Sequence, residues 1–181
     1  MPLGVVAGDL NTPQTTPSGN VHGMPLAAAL GRGGEGFESA AWTLPAVLPD
    51  RVAVIGARAI DPGERALIAD TRLAVHTMSE IDRRGIEAVM SEALDRAAGA
   101  PFVHISLDMD GLDPDVAPGV GTPVRGGLTY REAHLAMELV AESGLMCCLE
   151  IVEVNPILDR ENATAALAVE LAASAFGATT L

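Results

Sequence analysis

Apolar residues recur along this chain in two rhythms. Continuous short runs at 102–107 (Phe102, Val103, Ile105 and Leu107 among them) and at 145–154 suit strands buried on both faces of a parallel sheet. The Val/Ile content at 51–55 predicts another strand, and residues 1–6 read as part of one. Between the runs the spacing turns helical. Ile86, Val89, Met90, Leu94 and Ala97 predict one helix over 79–98 capped by Ser79, and helices are also expected over 130–142 and 162–176. Residues 25–30 read as a short helix, 31–49 as a Gly-rich surface connection, Asp61-Pro62 as a helix start and 67–75 as a helix end with a short strand. Strands alternating with helices predict an α/β fold, with three α-β-α layers around a mostly parallel sheet and functional groups at the carboxyl ends of the strands. No repeat or linker divides the chain, so a single domain over 1–181 is expected.

Composition narrows the function classes. Hydrophobic residues are 49% and charged residues 19%, which argues against disorder. The net charge of -13 argues against nucleic acid and against an anionic membrane as partners. It suits a cationic small molecule, or simply a soluble acidic surface. The two cysteines, Cys147 and Cys148, are adjacent and would point to opposite sides of a strand, so no disulfide between them is expected. With no signal peptide or membrane-length apolar run in view, a cytoplasmic location is expected.

The chemistry gathers after the 102–107 run. Asp108 and Asp110 stand two apart, on one side of an extended chain, where paired like charges need a cation or a proton. They read either as a hard-metal or acid/base pair or as solvated turn aspartates before Gly111 and Pro114. Upstream, the loop 8–23 is rich in Gly, Pro, Ser and Asn and carries His22, by itself an ordinary loop histidine. Asp61 could be a plain helix cap, and Glu153 near a strand end could be exposed and idle. His76 has no motif partner and reads as structural or surface, while His104 and His134 read as buried, satisfied histidines.

The run His104-Ile-Ser-Leu-Asp-Met-Asp-Gly-Leu-Asp-Pro114, followed by Gly-Thr-Pro and Gly-Gly-Leu-Thr-Tyr-Arg-Glu132, closely resembles the last metal-binding segment of the ureohydrolase (arginase/agmatinase) superfamily. The likeness runs from about Asp9 onward and is nearest to bacterial-type arginases. It implies Mn²⁺-dependent hydrolysis of L-arginine to L-ornithine and urea. Carried over residue by residue, it implies metal ligation by Asp9, Asp108 and Asp110, with Asp110 also among the catalytic groups. Asn11, Ser18 and Asn20 become carboxylate contacts and His22 a proton shuttle. Asp61 binds the α-amino group with Glu64 and Thr122 beside the substrate, and Glu153 of Glu-Val-Asn-Pro holds the guanidinium.

The chain also departs from the family pattern. In Asp-Ala-His-x-Asp, Val5 and Ala7 replace the first Asp and the His, and the Gly-Gly-Asp-His segment has no counterpart. The resemblance therefore implies the carboxyl-terminal portion of the family domain, with a weak or partial metal site. Three functions follow: arginase-type hydrolysis, an inactive relic binding a guanidino amino acid or a sibling subunit, and agmatinase or formimidoylglutamase. The last is disfavoured by Asn11, Ser18 and Asp61. Missing leading strands would leave an unpaired sheet edge, so self-association through that edge or a homo-oligomer is expected.

Overall fold

The computed structural model describes residues 3–6 and 10–179. Among them, five strands form one sheet: β1 (Leu3–Val6), β2 (Ala53–Ala57), β3 (Ala74–Thr77), β4 (Val103–Asp108) and β5 (Met146–Val152). Their order is β3-β2-β1-β4-β5 and every pairing is parallel. Six α-helices accompany them in the described residues: α1 (Pro25–Ala29), α2 (Pro62–Thr71), α3 (Met78–Arg84), α4 (Ile86–Ala97), α5 (Tyr130–Ser143) and α6 (Ala163–Ala175). This is the expected α-β-α class.

From β1 the chain steps outward to β2 and β3 through α1 and α2. It then returns through α3 and α4 to the other side of β1 and continues to β4, α5 and β5. Right-handed crossovers put the outward helices on one face and the returning helices on the other. The order reverses between β1 and β4, and the crevice outside the carboxyl ends of those two strands is where open α/β sheets bind ligands.

The core lies under α3 to α6. Val103, Ile105, Val89, Met90, Val140 and Leu171 are all nearly inaccessible. β2 and β4 are almost wholly buried, whereas β5 is not: Cys147 and Glu150 are exposed and the other residues only half-buried. A parallel strand is ordinarily covered on both faces. Here β5 is an edge, and among the described residues only α1 and α2 stand on the cavity face of the sheet.

Two local expectations are corrected. The helix expected over 79–98 is two helices, broken at Gly85, whose φ of 81° ends α3 and begins α4. Its cap is Thr77, whose side chain accepts from the Glu80 amide, not Ser79. The capping boxes of α2 (Asp61/Glu64) and α5 (Thr129/Glu132) are complete, each closing two otherwise unpaired amides. Cys147 and Cys148 are both free thiols.

Candidate active site

β4 is a buried parallel strand that ends on Asp108, and a 3-10 turn follows at Met109–Gly111. The Asp108 side chain caps that turn, its Oδ1 accepting from the Asp110 amide at 3.0 Å. This brings the second carboxyl round beside the first, and the Thr122 hydroxyl donates to Asp110 Oδ2 at 2.6 Å. Asp108 is only 7% exposed. Burial, then the charge of Asp110 and more weakly that of Glu153, pushes its carboxyl up to about 8.

The strap 122–128 is fastened to this turn by backbone. Asp113 N donates to Leu128 O at 3.0 Å and Leu128 N to Gly111 O at 3.1 Å, while Asp113 Oδ2 accepts from Gly126 N at 2.7 Å. A β-carbon on Gly127 would sit 2.5 Å from the Leu112 carbonyl carbon, so glycine is required there. Arg58, half-buried at the cavity wall beside the turn, donates to the carbonyl oxygens of Asp110 at 2.6 Å, Gly111 at 3.2 Å, Leu112 at 3.3 Å and Val124 at 2.8 Å. Burial lowers its pKa, and the charges of Asp110, Asp113 and Asp108 oppose that.

On the other side of the crevice, α2 opens with Asp61. Its Oδ1 accepts from the Gly63 and Glu64 amides, and its Oδ2 accepts from Asn11 Nδ2 at 2.7 Å. Partial desolvation pushes the Asp61 carboxyl up, but the bonds from Asn11, Glu64 and Gly63 outweigh it and hold the group below its usual range. The cap and the site group are thus one residue. Both Glu64 oxygens are taken by amides, Oε1 by Leu10 N at 2.8 Å and Oε2 by Asp61 N at 2.9 Å. Glu64 therefore anchors the Asn11 loop to α2.

After β5, Glu153 takes a φ of 63°, a conformation L-residues rarely adopt. That bend brings Glu153 Oε1 to 3.7 Å from His22 Nδ1. A cavity of about 710 Å³ joins these groups: Asn11, Ser18, His22, Asp61, Glu64, Asp108, Asp110, Thr122 and Glu153 all line it. Asn20 is exposed and does not form part of its wall. Asp9 lies outside the described residues.

The remaining histidines sort by geometry. His134 is buried, with Nδ1 2.9 Å from Ser174 Oγ. His104 is half-exposed at the cavity wall, 3.1 Å from Glu150 Oε1, so the expectation of a buried histidine there is corrected. His76 is buried, with Nδ1 3.2 Å from Glu80 Oε1. With Glu92 they are the one trio of ligand-type side chains, among the described residues, that closes to within 4.8 Å. The Arg84 guanidinium already bonds both glutamates, so this is an ion-pair network between β3, α3 and α4. Sequence reasoning missed Arg58, whose partners are main-chain carbonyls and leave no side-chain signature.

A parallel sheet with a carboxyl pair at its switch point, facing a carboxylate-capped helix across one cavity, defines an α/β protein with a candidate site at the strand ends. The sequence profile of the Arginase family matches residues 8–177. The chain is 53% identical over 170 residues to an arginase of Bacillus subtilis, covering 94% of this chain and 57% of that protein. It is 53% identical over 180 residues to an arginase of Brevibacillus brevis, covering 97% and 60%. A crystal structure of arginase from Bacillus subtilis superposes with a TM-score of 0.94 at 52% identity, covering 99% of this chain and 65% of that one. The chain belongs to the arginase family. It spans somewhat under two thirds of the length of these relatives.

No helix among the described residues is long and apolar enough to cross a membrane.

Proposed function

We propose that the cavity is an arginase-type site that takes L-arginine and hydrolyses it to L-ornithine and urea with a bound divalent cation, Mn²⁺. The observation that carries this is the Asp108–Asp110 pair, Asp108 buried and Asp110 half-buried against it, opening into a cavity that Asp61 lines on the other side. All-oxygen donors of this kind suit hard cations of the Mg²⁺/Mn²⁺ class. Asp108 and Asp110 would hold the cation, with Asp9 as the third ligand implied by the family pattern. When bound it supplies Lewis-acid polarisation and a water of lowered pKa.

The chain's own groups supply the rest. The Glu153 carboxylate accepts two parallel N–H bonds from a planar guanidinium. His22, facing Glu153, holds the proton that the departing amine of ornithine needs. Asp61 stays ionised at neutral pH and offers its second oxygen, beside Asn11, to the α-amino group, while Asn11 and Ser18 serve the carboxylate. Thr122 fixes the Asp110 rotamer beside the substrate. An α-amino contact at Asp61 favours arginine over agmatine, and the family is the same for both. A cytoplasmic setting fits free thiols and this chemistry.

Urea release from the purified chain tests the reading: Mn²⁺-dependent release from L-arginine, at least tenfold slower from agmatine, is expected. Equal rates would move the substrate to agmatine. Replacing Asp61 with Asn is expected to keep the helix cap, leaving stability within about 0.5 kcal/mol, while weakening arginine binding by about tenfold or more. Asp61→Ala should cost about 1 kcal/mol in addition, read from urea denaturation.

A second reading is favoured by β5. The exposed edge and the half-open sheet face support a chain that binds the guanidino amino acid but needs another copy or a sibling subunit before it turns over. Association through this edge predicts a species larger than a monomer by light scattering, and cross-linking through the exposed Cys147. A sharp monomer that melts cooperatively would contradict it.

A further inference from the structure

Arg58 is, among the described residues, the cation held against the Asp108–Asp110 turn, and its hydrogen bonds go to neither carboxylate. They go to carbonyl oxygens on two separate segments: Asp110, Gly111 and Leu112 of the turn, and Val124 of the strap. A guanidinium presents five N–H groups in a fixed plane, which lets one side chain collect acceptors from two chain segments at once. Lysine has three donors on a point charge and cannot span them in the same way.

Two consequences follow from this arrangement. The carbonyls of three successive residues are drawn to one side, so the turn between Asp108 and Thr122 has one orientation. The carboxylate oxygens are left to the cavity, where Thr122 and the Asp110 amide are their partners. A positive charge lies beside the acidic pair, at the cavity wall, and its hydrogen bonds leave both carboxylates free.

We propose that Arg58 is a positioning residue of the cation site, fixing through the main chain of the turn the geometry in which Asp108 and Asp110 face a divalent ion. This rests on the metal reading above and goes beyond it, because the resemblance assigned Arg58 no role. It ties strand β2, the metal turn and the strap into one unit, so its loss should loosen residues 109–113 and 124–128 together.

The test compares the whole chain with Arg58→Met, Arg58→Lys and Arg83→Met, the last removing the same charge from the exposed surface of α3. Two readouts are taken: hydrogen exchange of 109–113 and 124–128 without metal, and Mn²⁺ affinity by electron paramagnetic resonance. Arg58→Met is expected to lose protection in both segments, while exchange in α4 and α5 stays unchanged. Its Mn²⁺ affinity should fall by about 10- to 100-fold, as for other groups that orient metal ligands. Arg58→Lys should fall between, and Arg83→Met should match the wild type.

Protection retained in Arg58→Met overturns the proposal. So does an equal loss of affinity in Arg83→Met, which would reduce the effect to net charge. A wild type that binds no Mn²⁺ would overturn the metal reading, while lost protection in Arg58→Met would still establish the fastening of turn to strap.

Discussion

In the absence of divalent cations, Asp108→Asn is expected to be more stable than the wild type at pH 8 and equal to it near pH 4. The Asp108 carboxyl is pushed up to about 8 when folded, from an ordinary value of 3.8, first by burial and then by the charge of Asp110. The folded state therefore binds this proton more tightly than the unfolded state does. Its contribution is fully present below about pH 4 and is lost as pH rises toward 8, by up to about 1.4 kcal/mol per pH unit across that window. Sharing of charge with Asp110 and relaxation of the turn reduce the sum to a few kcal/mol. The amide variant cannot titrate, so the difference between the two denaturation free energies isolates the group. A difference that is flat from pH 4 to 8 would show the carboxyl to be solvated in the folded chain. The same substitution should sharply weaken Mn²⁺-dependent stabilisation and urea release together, since a neutral amide oxygen lacks the negative charge with which the buried carboxylate holds a divalent cation.

Gly127→Ala should be the most damaging of the conservative changes. The added methyl would meet main-chain atoms of Leu112 and Asp113 at 2.5 to 2.6 Å, and no flexible side chain can yield there. Either the strap lifts, breaking the bonds between Asp113 and Leu128 and between Leu128 and Gly111, or the metal turn moves. Overpacking of this kind costs on the order of 3 kcal/mol. For a chain of this size that is a fall in melting temperature of about 6–12 °C. Thr122 lies on the strap, so its bond to Asp110 should also be lost and Mn²⁺ affinity should drop with stability. Gly34→Ala, with nothing within 4 Å of the added carbon, serves as the comparison and acts through its φ of 70° alone. A Gly127→Ala variant that melts with the wild type would show that the strap is loosely held.

Much of this site was legible because it is written in contiguous motifs. Asp108 and Asp110, two apart at the end of an apolar run, are expected on one side of an extended chain; β4 ends on Asp108, and it is the capped 3-10 turn after it that brings Asp110 alongside. The loop carrying Asn11 and Ser18, and the helix start at Asp61, also arrive at the same cavity. Asp61 caps α2 through one oxygen and keeps the other, bonded to Asn11, at the cavity wall, so the cap and a site role do not exclude each other. What could not be read is long-range or conformational. Arg58 acts through carbonyls and leaves no pattern of side-chain types; the Asp61–Glu64 spacing is a capping-box pattern, but the bond from Glu64 to the Leu10 amide is long-range and is not written in it. The break at Gly85 is not announced by the apolar spacing, which is carried by Ile86, Val89, Met90 and Leu94 beyond it; only a φ of 81° reveals it. His76 finds Glu80 across a strand–helix junction that spacing alone does not announce. The half-open face of β5 is likewise invisible in an apolar run that reads like any buried strand.

The most direct test of the central claim, that the Asp108–Asp110 turn is the cation centre of an arginase-type cavity, is a Mn²⁺ titration followed by electron paramagnetic resonance. It should be run at pH 8 on the wild type and on Asp108→Asn, with L-ornithine present and absent. Saturable binding to the wild type, sharply weakened in the variant and altered by ornithine, is the expected result. Equal binding by both proteins, or none by a wild type shown to be folded, would contradict it.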